Sequence, residues 1–213
     1  DMKTTNLPKT MFITHKNEKY SYLSSGLMAL ECGIKFIQLR MKDYEDEKVI
    51  EVAKELAKEC NKQGALLTVD DRINLLSTNL FSGIHLGKED MEIEKAKEIT
   101  KQDYILGATA NTIDDIINAY QKGASYIGLG PYKYTTTKKK LSTILGLNGY
   151  KNIIKELRDK GINIPIYAIG GIEVEDLQEL KEMGVYGVAL SSVILNSNNA
   201  RKTIEEILKV FPY

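Results

Sequence analysis

The sequence alternates short apolar runs with stretches in which apolar residues recur at helical spacing, and this alternation constrains the fold more than any other feature. Eight such units follow one another in 213 residues, with no linker rich in Pro or Ser between them. Neighbouring parallel strands need crossover connections, which helices supply, so the alternation predicts a parallel sheet. Eight units of even length predict an α/β protein in which residues 1–213 form one (β/α)8 TIM barrel.

An open, doubly wound sheet is the alternative arrangement for these units. It is disfavoured because no strand leads into a G-x-G-x-x-G turn, which dinucleotide-binding sheets use. Two helix ends carry local signals: Gly64 is placed to end the helix after the second strand, and Thr112 is placed to cap the helix after the fifth. The predicted strands are Met11–His15, Phe36–Arg40, Ala65–Val69, Gly83–Gly87, Tyr104–Ala108, Tyr126–Gly130, Pro165–Gly170 and Gly187–Leu190.

The composition is ordinary for a globular protein, with 43% hydrophobic and 27% charged residues. The 29 basic side chains balance 29 acidic ones, so the overall charge predicts neither a nucleic-acid nor a membrane partner. No apolar run is long enough for a membrane-spanning helix, and no signal peptide is recognisable. Because the chain begins with Asp1 rather than Met, residues 1–8 are expected to be a flexible or trimmed terminus.

The two cysteines, Cys32 and Cys60, fall within helical patterns, and neither has metal-site spacing to His15 or His85. We interpret them as reduced thiols. Reduced thiols without an export signal predict a cytoplasmic location. These features do not determine the oligomeric state, and a homo-oligomer remains open.

Polar residues gather at the carboxyl ends of the predicted strands, where TIM barrels bind their ligands. At the second strand, alternation places Gln38 and Arg40 on one side, and Lys42 continues the spacing. Such side chains are costly to bury unless they face a polar ligand or form ion pairs inside the barrel. Asp71 and Asp90, at the next two strand ends, are the expected ligands of Mg²⁺, with helix N-caps as the alternative.

Three further strand ends suit phosphate groups. Gly170-Gly171 follows the seventh strand and Ser191-Ser192 follows the eighth, which is the recurrent phosphate position of this fold. A plain turn is the alternative for the two glycines. The loop Gly130–Lys140 combines three threonines with lysines, and hydroxyl and ammonium groups donate to phosphate oxygens. That loop alone would be interpreted as a solvated basic loop, but its neighbours at the other strand ends favour phosphate binding.

The predicted site therefore contains two separate anion-binding regions and no obvious nucleophile. The glycine and serine end suits a monophosphate, whereas Arg40, Lys42 and Lys138 with an Asp-bound metal suit a diphosphate. No Ser–His or Cys–His arrangement is evident, and His85 is interpreted as a hydrogen-bonded structural residue rather than a catalytic one. These features predict an alkyl transfer in which diphosphate is the leaving group.

Several motifs recur, in this order and spacing, in a known family. They are Gln38-Leu39-Arg40-Met41-Lys42, Asp70-Asp71-Arg72, His85-Leu86-Gly87-Lys88-Glu89-Asp90, Gly130-Pro131 with Thr135-Thr136-Thr137-Lys138, Ala168-Ile169-Gly170-Gly171-Ile172 and Ala189-Leu190-Ser191-Ser192. Through them the sequence resembles the thiamine phosphate synthase family over nearly its whole length. The resemblance implies a TIM-barrel transferase that joins a pyrimidine diphosphate to a thiazole phosphate with Mg²⁺.

The resemblance also implies a role for each matching residue. Arg40, Lys42 and Lys138 would hold the diphosphate, and Asp71 and Asp90 would bind Mg²⁺. Thr109 would lie near the pyrimidine, and Asp70, which stands where Asn is usual, would act through the metal or a water. The residues implied for the thiazole phosphate are Gln38, Thr135, Thr137, Gly171, Ser191 and Ser192.

Two other functions are compatible with parts of this pattern. A thiazole tautomerase would share the barrel and the phosphate end, but it resembles this chain less because it uses His where Asn111 stands. A non-catalytic binder of phosphorylated ligands would have no reason to keep Asp71, Asp90 and Lys138. The synthase interpretation accounts for all of these residues.

Overall fold

A computed structural model describes residues 6–88, 92–100, 103–134 and 143–213, and in it eight parallel strands close into a barrel in chain order. The predicted TIM barrel is therefore confirmed, and the open doubly wound sheet is excluded. The strands are β1 (Thr10–Ile13), β2 (Phe36–Leu39), β3 (Leu66–Asp70), β4 (Gly83–Leu86), β5 (Ile105–Ala110), β6 (Tyr126–Leu129), β7 (Ile166–Ile169) and β8 (Gly187–Leu190).

Helices cover the outside of the barrel and connect successive strands. They are α1 (Tyr22–Glu31), α2 (Asp46–Gln63), α3 (Ile93–Thr100), α4 (Ile113–Gln121), α5 (Gly146–Asp159), α6 (Leu177–Met183), α7 (Ser192–Leu195) and α8 (Ala200–Val210). The segment after β3, predicted as a short helix, is the 3-10 helix Ile73–Thr78. In the described ranges, no helix combines the length and the apolar character needed to span a membrane.

Both predicted helix-end signals are confirmed. Gly64 ends α2 in the left-handed conformation, with φ of 66°, which a residue without a Cβ adopts at little cost. Thr112 caps α4: its hydroxyl accepts from the Asp115 amide, and the Asp115 carboxylate accepts in return from the backbone of Thr112. This capping box satisfies donors that a helix start otherwise leaves unpaired.

The lower half of the barrel is filled by aromatic rings. Phe36, Tyr126 and Tyr167 are all fully buried, and they meet edge to face with ring centroids 5.2–6.0 Å apart. Edge-to-face contacts of this kind add to the stabilisation from burial. Because these rings fill the lower half of the barrel interior, the cavity inside the described barrel lies at the carboxyl end of the strands.

The amino end of the barrel is closed by the start of the chain. Leu7, which the sequence placed in a flexible terminus, is only 2% exposed and packs with the barrel interior. The hydroxyl of Tyr167 donates to the carbonyl of Pro8 at 2.5 Å, and the amide of Lys9 donates to the carbonyl of Pro212 at 3.1 Å. The packed structure therefore includes residues 7 and 8, because Leu7 is buried and the hydroxyls of Tyr186 and Tyr167 donate to the carbonyl oxygens of Leu7 and Pro8.

Candidate active site

A cavity of about 170 Å³ opens at the carboxyl end of the barrel, and residues from the ends of all eight strands line it. It coincides with the position where TIM barrels carry their active sites. The predicted site residues that line it are Gln38, Arg40, Lys42, Asp70, Thr109, Gly171, Ser191 and Ser192. The structure thus brings most of the predicted site together in one place.

One wall of the cavity, at the ends of β2 and β3, is charged. The Arg40 Nε atom lies 3.5 Å from Asp70 Oδ2, and the Lys42 Nζ atom lies 3.9 Å from the same oxygen. Lys42 Nζ also lies 3.3 Å from Asp71 Oδ2. Each cation in this wall already faces a carboxylate. When an anion pairs with the cations and a metal cation pairs with the carboxylates, no charge is left uncompensated.

Asp71 stands next to this wall in an unusual backbone conformation. Its φ is 56°, a left-handed value that Asp adopts more readily than most residues. Its amide donates to the carbonyl of His85 at 2.8 Å, which holds the turn after β3 against β4. The described residues contain no cluster of three His, Cys, Asp or Glu side chains suited to a metal. The predicted metal ligand Asp90 lies outside the described part of the chain, and so do the predicted site residues Thr135, Thr137 and Lys138.

Arg72 fixes the loop that carries Lys42. Its Nη2 atom donates to the carbonyl oxygens of Met41 at 2.7 Å and Tyr44 at 2.5 Å, and its Nη1 atom donates to Asp46 Oδ1 at 2.7 Å. The guanidinium fork lets one side chain make several such bonds at once. The sequence motif contained Arg72, but its contacts with a loop about thirty residues earlier could be seen only in the structure.

On the opposite side of the cavity, at the end of β7, the described lining residues carry no charged side chain, and two of them are glycines. Gly170 and Gly171 have φ values of 96° and 66°. A Cβ on Gly171 would lie 2.4 Å from the carbonyl oxygen of Tyr134, and a Cβ on Gly170 would lie 2.8 Å from Pro131 Cα. The glycines were predicted to let the backbone approach a phosphate, and the structure adds a second reason, since they admit the segment after β6.

Ser191 and Ser192 complete the uncharged wall at the end of β8. The Ser191 Oγ atom is buried and has no hydrogen-bond partner in the described part of the chain, and it makes no capping bond to α7. A buried hydroxyl without a partner is destabilising. A phosphate or another polar group in the cavity would supply the missing partner.

The floor of the cavity is polar, and its side chains are hydrogen-bonded. Gln38 is 3% exposed, and its Nε2 atom lies 3.5 Å from Met11 Sδ. The His85 ring hydrogen-bonds on both sides, with Nδ1 2.9 Å from the Tyr126 hydroxyl and Nε2 2.9 Å from Thr109 Oγ1. His85 is therefore hydrogen-bonded, as predicted, but it also lines the cavity.

Two residues at the end of β1 belong to the site although the sequence suggested no role for them. His15 lines the cavity, and burial lowers the pKa of its imidazole, with the charges of Arg40 and Lys16 acting in the same direction. Thr14 Oγ1 accepts from the backbone amide of Arg40 at 3.0 Å, which ties β1 to β2. The strand-end rule that selected the other residues applies to β1 as well and could have found both.

The fold and the cavity together define the class: a TIM-barrel enzyme whose strand-end site sets a wall of cations and carboxylates against a wall of glycines and hydroxyls. The model of the thiamine monophosphate synthase family matches residues 10–194. The chain belongs to this family. It is accordingly a transferase of thiamine biosynthesis.

Individual relatives agree with this assignment. The thiamine-phosphate synthase of Bacteroides thetaiotaomicron is 44% identical over 199 residues, which cover 93% of this chain and 95% of the relative. That of Bacteroides fragilis is 45% identical over 93% of this chain and 98% of the relative. The solved thiamine phosphate pyrophosphorylase of Pyrococcus furiosus superimposes with a TM-score of 0.82 at 33% identity, covering 95% of both chains.

Proposed function

We propose that the cavity joins 4-amino-5-hydroxymethyl-2-methylpyrimidine diphosphate to 4-methyl-5-(2-phosphoethyl)thiazole, and that thiamine phosphate and diphosphate are released. The observation that carries this proposal is the division of one cavity into a charged wall and an uncharged wall. A diphosphate and a monophosphate differ in charge, and each wall suits one of them. The resemblance to named synthases supports the same assignment.

The charged wall would bind the pyrimidine diphosphate. Arg40 and Lys42 contribute the cationic groups of this wall. Lys138 is assigned to diphosphate binding from the sequence. In the reaction, the bond between the pyrimidine methylene carbon and the diphosphate oxygen breaks, and its electron pair leaves with the diphosphate. Fixed cations beside the departing oxygens stabilise the negative charge that develops there.

Mg²⁺ fits the donors of this wall. Asp71 and its neighbour Asp70 supply carboxylate oxygens at the end of β3, and Asp90 is the second predicted ligand. Mg²⁺ takes one or two carboxylates together with waters and substrate phosphate oxygens, so a larger protein cluster is not required. When bound, the metal would neutralise charge on the diphosphate. Asp70 would act through the metal or a water, since a carboxylate cannot donate to a phosphate.

The uncharged wall would bind the thiazole phosphate. Ser191 offers there a buried hydroxyl that has no partner among the described residues. Gly171 and Ser192 lie beside it, and Gln38 forms part of the floor. Thr135 and Thr137 are assigned to this ligand from the sequence. The lone pair of the thiazole nitrogen then attacks the pyrimidine methylene carbon, which forms the new carbon–nitrogen bond of thiamine phosphate, with Thr109 beside the pyrimidine ring.

A turnover assay tests this function. Purified protein is mixed with both substrates and Mg²⁺, and thiamine phosphate is read as fluorescent thiochrome after oxidation. We expect product that depends on Mg²⁺. Asp71→Ala should lose turnover but still bind thiazole phosphate. The control Asp159→Ala, which removes an exposed carboxylate at the end of α5, should keep normal turnover. Unchanged turnover in Asp71→Ala would contradict the metal assignment, and thiazole isomerisation without coupling would assign a tautomerase instead.

We also propose a cytoplasmic location, based on the two cysteines. Both are free thiols, and Cys60 is buried. Burial raises the pKa of the Cys60 thiol to about 12, which keeps it protonated and unreactive at neutral pH. Proteins of reducing compartments retain such thiols.

A further inference from the structure

A chain of three hydrogen-bonded side chains crosses the barrel beneath the cavity. It begins at Tyr126 on β6, passes through His85 on β4 and ends at Thr109 on β5, with both hydrogen bonds 2.9 Å long. Tyr126 is fully buried, whereas Thr109 lines the cavity. These hydrogen bonds therefore connect the closed interior of the barrel to the cavity.

The direction of these hydrogen bonds is set at the buried end, at Tyr126. Among the described residues, the hydroxyl of Tyr126 has one hydrogen-bond partner, His85 Nδ1. Burial raises the pKa of this phenol, and the charge of Asp70 adds to the effect, so the hydroxyl keeps its proton. A buried hydroxyl that did not donate this proton would be destabilising. The phenol therefore donates, and Nδ1 is the acceptor.

The direction of the second hydrogen bond, between His85 and Thr109, follows from the first. A neutral imidazole that accepts at Nδ1 carries its proton at Nε2. The Nε2–H group then donates to Thr109 Oγ1, and the hydroxyl proton of Thr109 cannot be used in that bond. In the described part of the chain Thr109 Oγ1 has no other partner, and the side chain lines the cavity. Its proton is consequently available to an acceptor in the cavity.

The strands around the chain provide the space that it needs. A Cβ on Gly107 would lie 2.2 Å from the Tyr126 hydroxyl oxygen, and a Cβ on Gly128 would lie 3.4 Å from His85 Cε1. Any larger residue at Gly107 would displace the phenol. Gly107 on β5 therefore leaves the room that the phenol occupies, whereas a Cβ on Gly128 would make only an ordinary contact with the His85 ring.

We propose that Tyr126 and His85 are positioning residues that make Thr109 present a hydrogen-bond donor to the cavity, so that the ligand atom facing Thr109 is an acceptor. This part of the proposal rests on the proposed function: on the aminopyrimidine substrate the acceptor is a ring nitrogen, not the exocyclic amino group. Thr109 would thereby fix which edge of the pyrimidine faces β5.

Nitrogen-15 NMR of the histidine rings tests the proton order without any substrate. The chain contains two histidines, so the His15→Gln variant leaves His85 as the only signal. We expect the neutral tautomer with the proton at Nε2, and we expect the opposite tautomer to become populated in Tyr126→Phe. Tyr150→Phe, which removes another buried phenol that donates to a backbone carbonyl, is the matched control and should leave the tautomer unchanged. A proton at Nδ1 in the wild-type ring, or a doubly protonated ring at neutral pH, would overturn the proposal.

Binding of the pyrimidine diphosphate in the presence of Mg²⁺ tests the ligand part. Loss of one hydrogen bond in Thr109→Val should weaken binding about fivefold to tenfold, and Thr109→Ser, which keeps the hydroxyl, should bind within about twofold of wild type. An analogue in which CH replaces the facing ring nitrogen should bind equally to wild type and Thr109→Val. If both ring-nitrogen analogues bind wild type as tightly as the substrate, the ligand part is overturned. If wild type does not bind the diphosphate at all but shows the Nε2 proton, the proposed function fails while the proton order stands.

Discussion

The two walls of the cavity differ in how they are built. At the ends of β2 and β3, Arg40 and Lys42 face carboxylates across 3.3–3.9 Å, and Arg72 holds the loop between them. At the ends of β7 and β8 the wall consists of Gly170 and Gly171, followed by a serine whose hydroxyl lacks a partner in the described residues. The first wall consists of charged side chains that compensate one another. The second consists of two glycines with positive φ and a hydroxyl that has no partner among the described residues.

This difference predicts different consequences of mutation on the two sides. A charge on the first wall acts on the diphosphate as it departs, so its loss should affect the rate of the reaction. The second wall holds a phosphate that does not react, so its loss should affect binding more than rate. Substitutions on either wall, and one at His15 where the walls meet, should therefore have distinguishable effects.

The largest expected effect is on turnover in Arg40→Gln. Removal of a charged group beside the leaving group should lower kcat about a hundredfold or more. The control is Arg201→Gln, which breaks an exposed ion pair with Glu31 at 3.5 Å on the outside of the barrel and should leave kcat unchanged. Steady-state kinetics with both substrates measures this, and an Arg40→Gln enzyme with normal kcat would show that the charged wall does not act on the departing group.

The next effect is on folding and separates two glycines with nearly the same backbone. Gly171 and Gly161 have φ values of 66° and 68°, so alanine at either position should cost about 1–2 kcal/mol of strain. A Cβ on Gly161 has nothing within 4 Å, whereas one on Gly171 would overlap the carbonyl oxygen of Tyr134. We therefore expect Gly171→Ala to lower the free energy of unfolding by about 2 kcal/mol more than Gly161→Ala in urea denaturation. Equal losses would mean that the loop after β6 does not need this close approach.

A smaller effect is expected at Ser191, where stability and binding should change in opposite directions. Ser191→Ala removes a buried hydroxyl with no partner among the described residues, so the free energy of unfolding should stay constant or rise by about 1 kcal/mol. The same variant should bind thiazole phosphate about fivefold to tenfold more weakly. In the control Ser25→Ala, the lost hydroxyl donates to the Tyr22 carbonyl at 2.9 Å, and stability should fall by about 1 kcal/mol. A loss of stability in Ser191→Ala like that of Ser25→Ala would show that its hydroxyl already has a partner.

The smallest effect concerns His15, which lies where the walls meet, since β1 pairs with both β2 and β8. Its pKa in the folded protein is lowered from 6.5, by burial first and then by Arg40 and Lys16. Below pH 6.5 the unfolded chain therefore binds more protons at His15 than the folded chain does. His15 does not reduce the free energy of unfolding above pH 6.5, but it lowers that free energy as the pH decreases below 6.5. His15→Gln should flatten this slope in urea denaturation at a series of pH values, and an identical slope in both proteins would contradict the assignment.

The sequence predicted the barrel and most of the positions on both walls, because strand ends are recognisable from local patterns and TIM barrels bind ligands there. It did not predict the chain through Tyr126, His85 and Thr109, since these residues come from three strands and meet only when the barrel closes. Nor did it reveal that Arg72 clamps the loop around Met41, because such contacts depend on tertiary packing. His15 was overlooked because the end of β1 carries no cluster of charges to mark it.

The two walls of the cavity should bind different anions. The most direct measurement is equilibrium binding of two separate ligands, diphosphate with Mg²⁺ and thiazole phosphate, to wild type, Arg40→Gln and Ser191→Ala by titration calorimetry. We predict that Arg40→Gln weakens diphosphate binding about tenfold or more and changes thiazole phosphate binding less than about twofold, and that Ser191→Ala does the reverse. If either variant weakens both ligands equally, the two walls do not divide the substrates between them, and the account is contradicted.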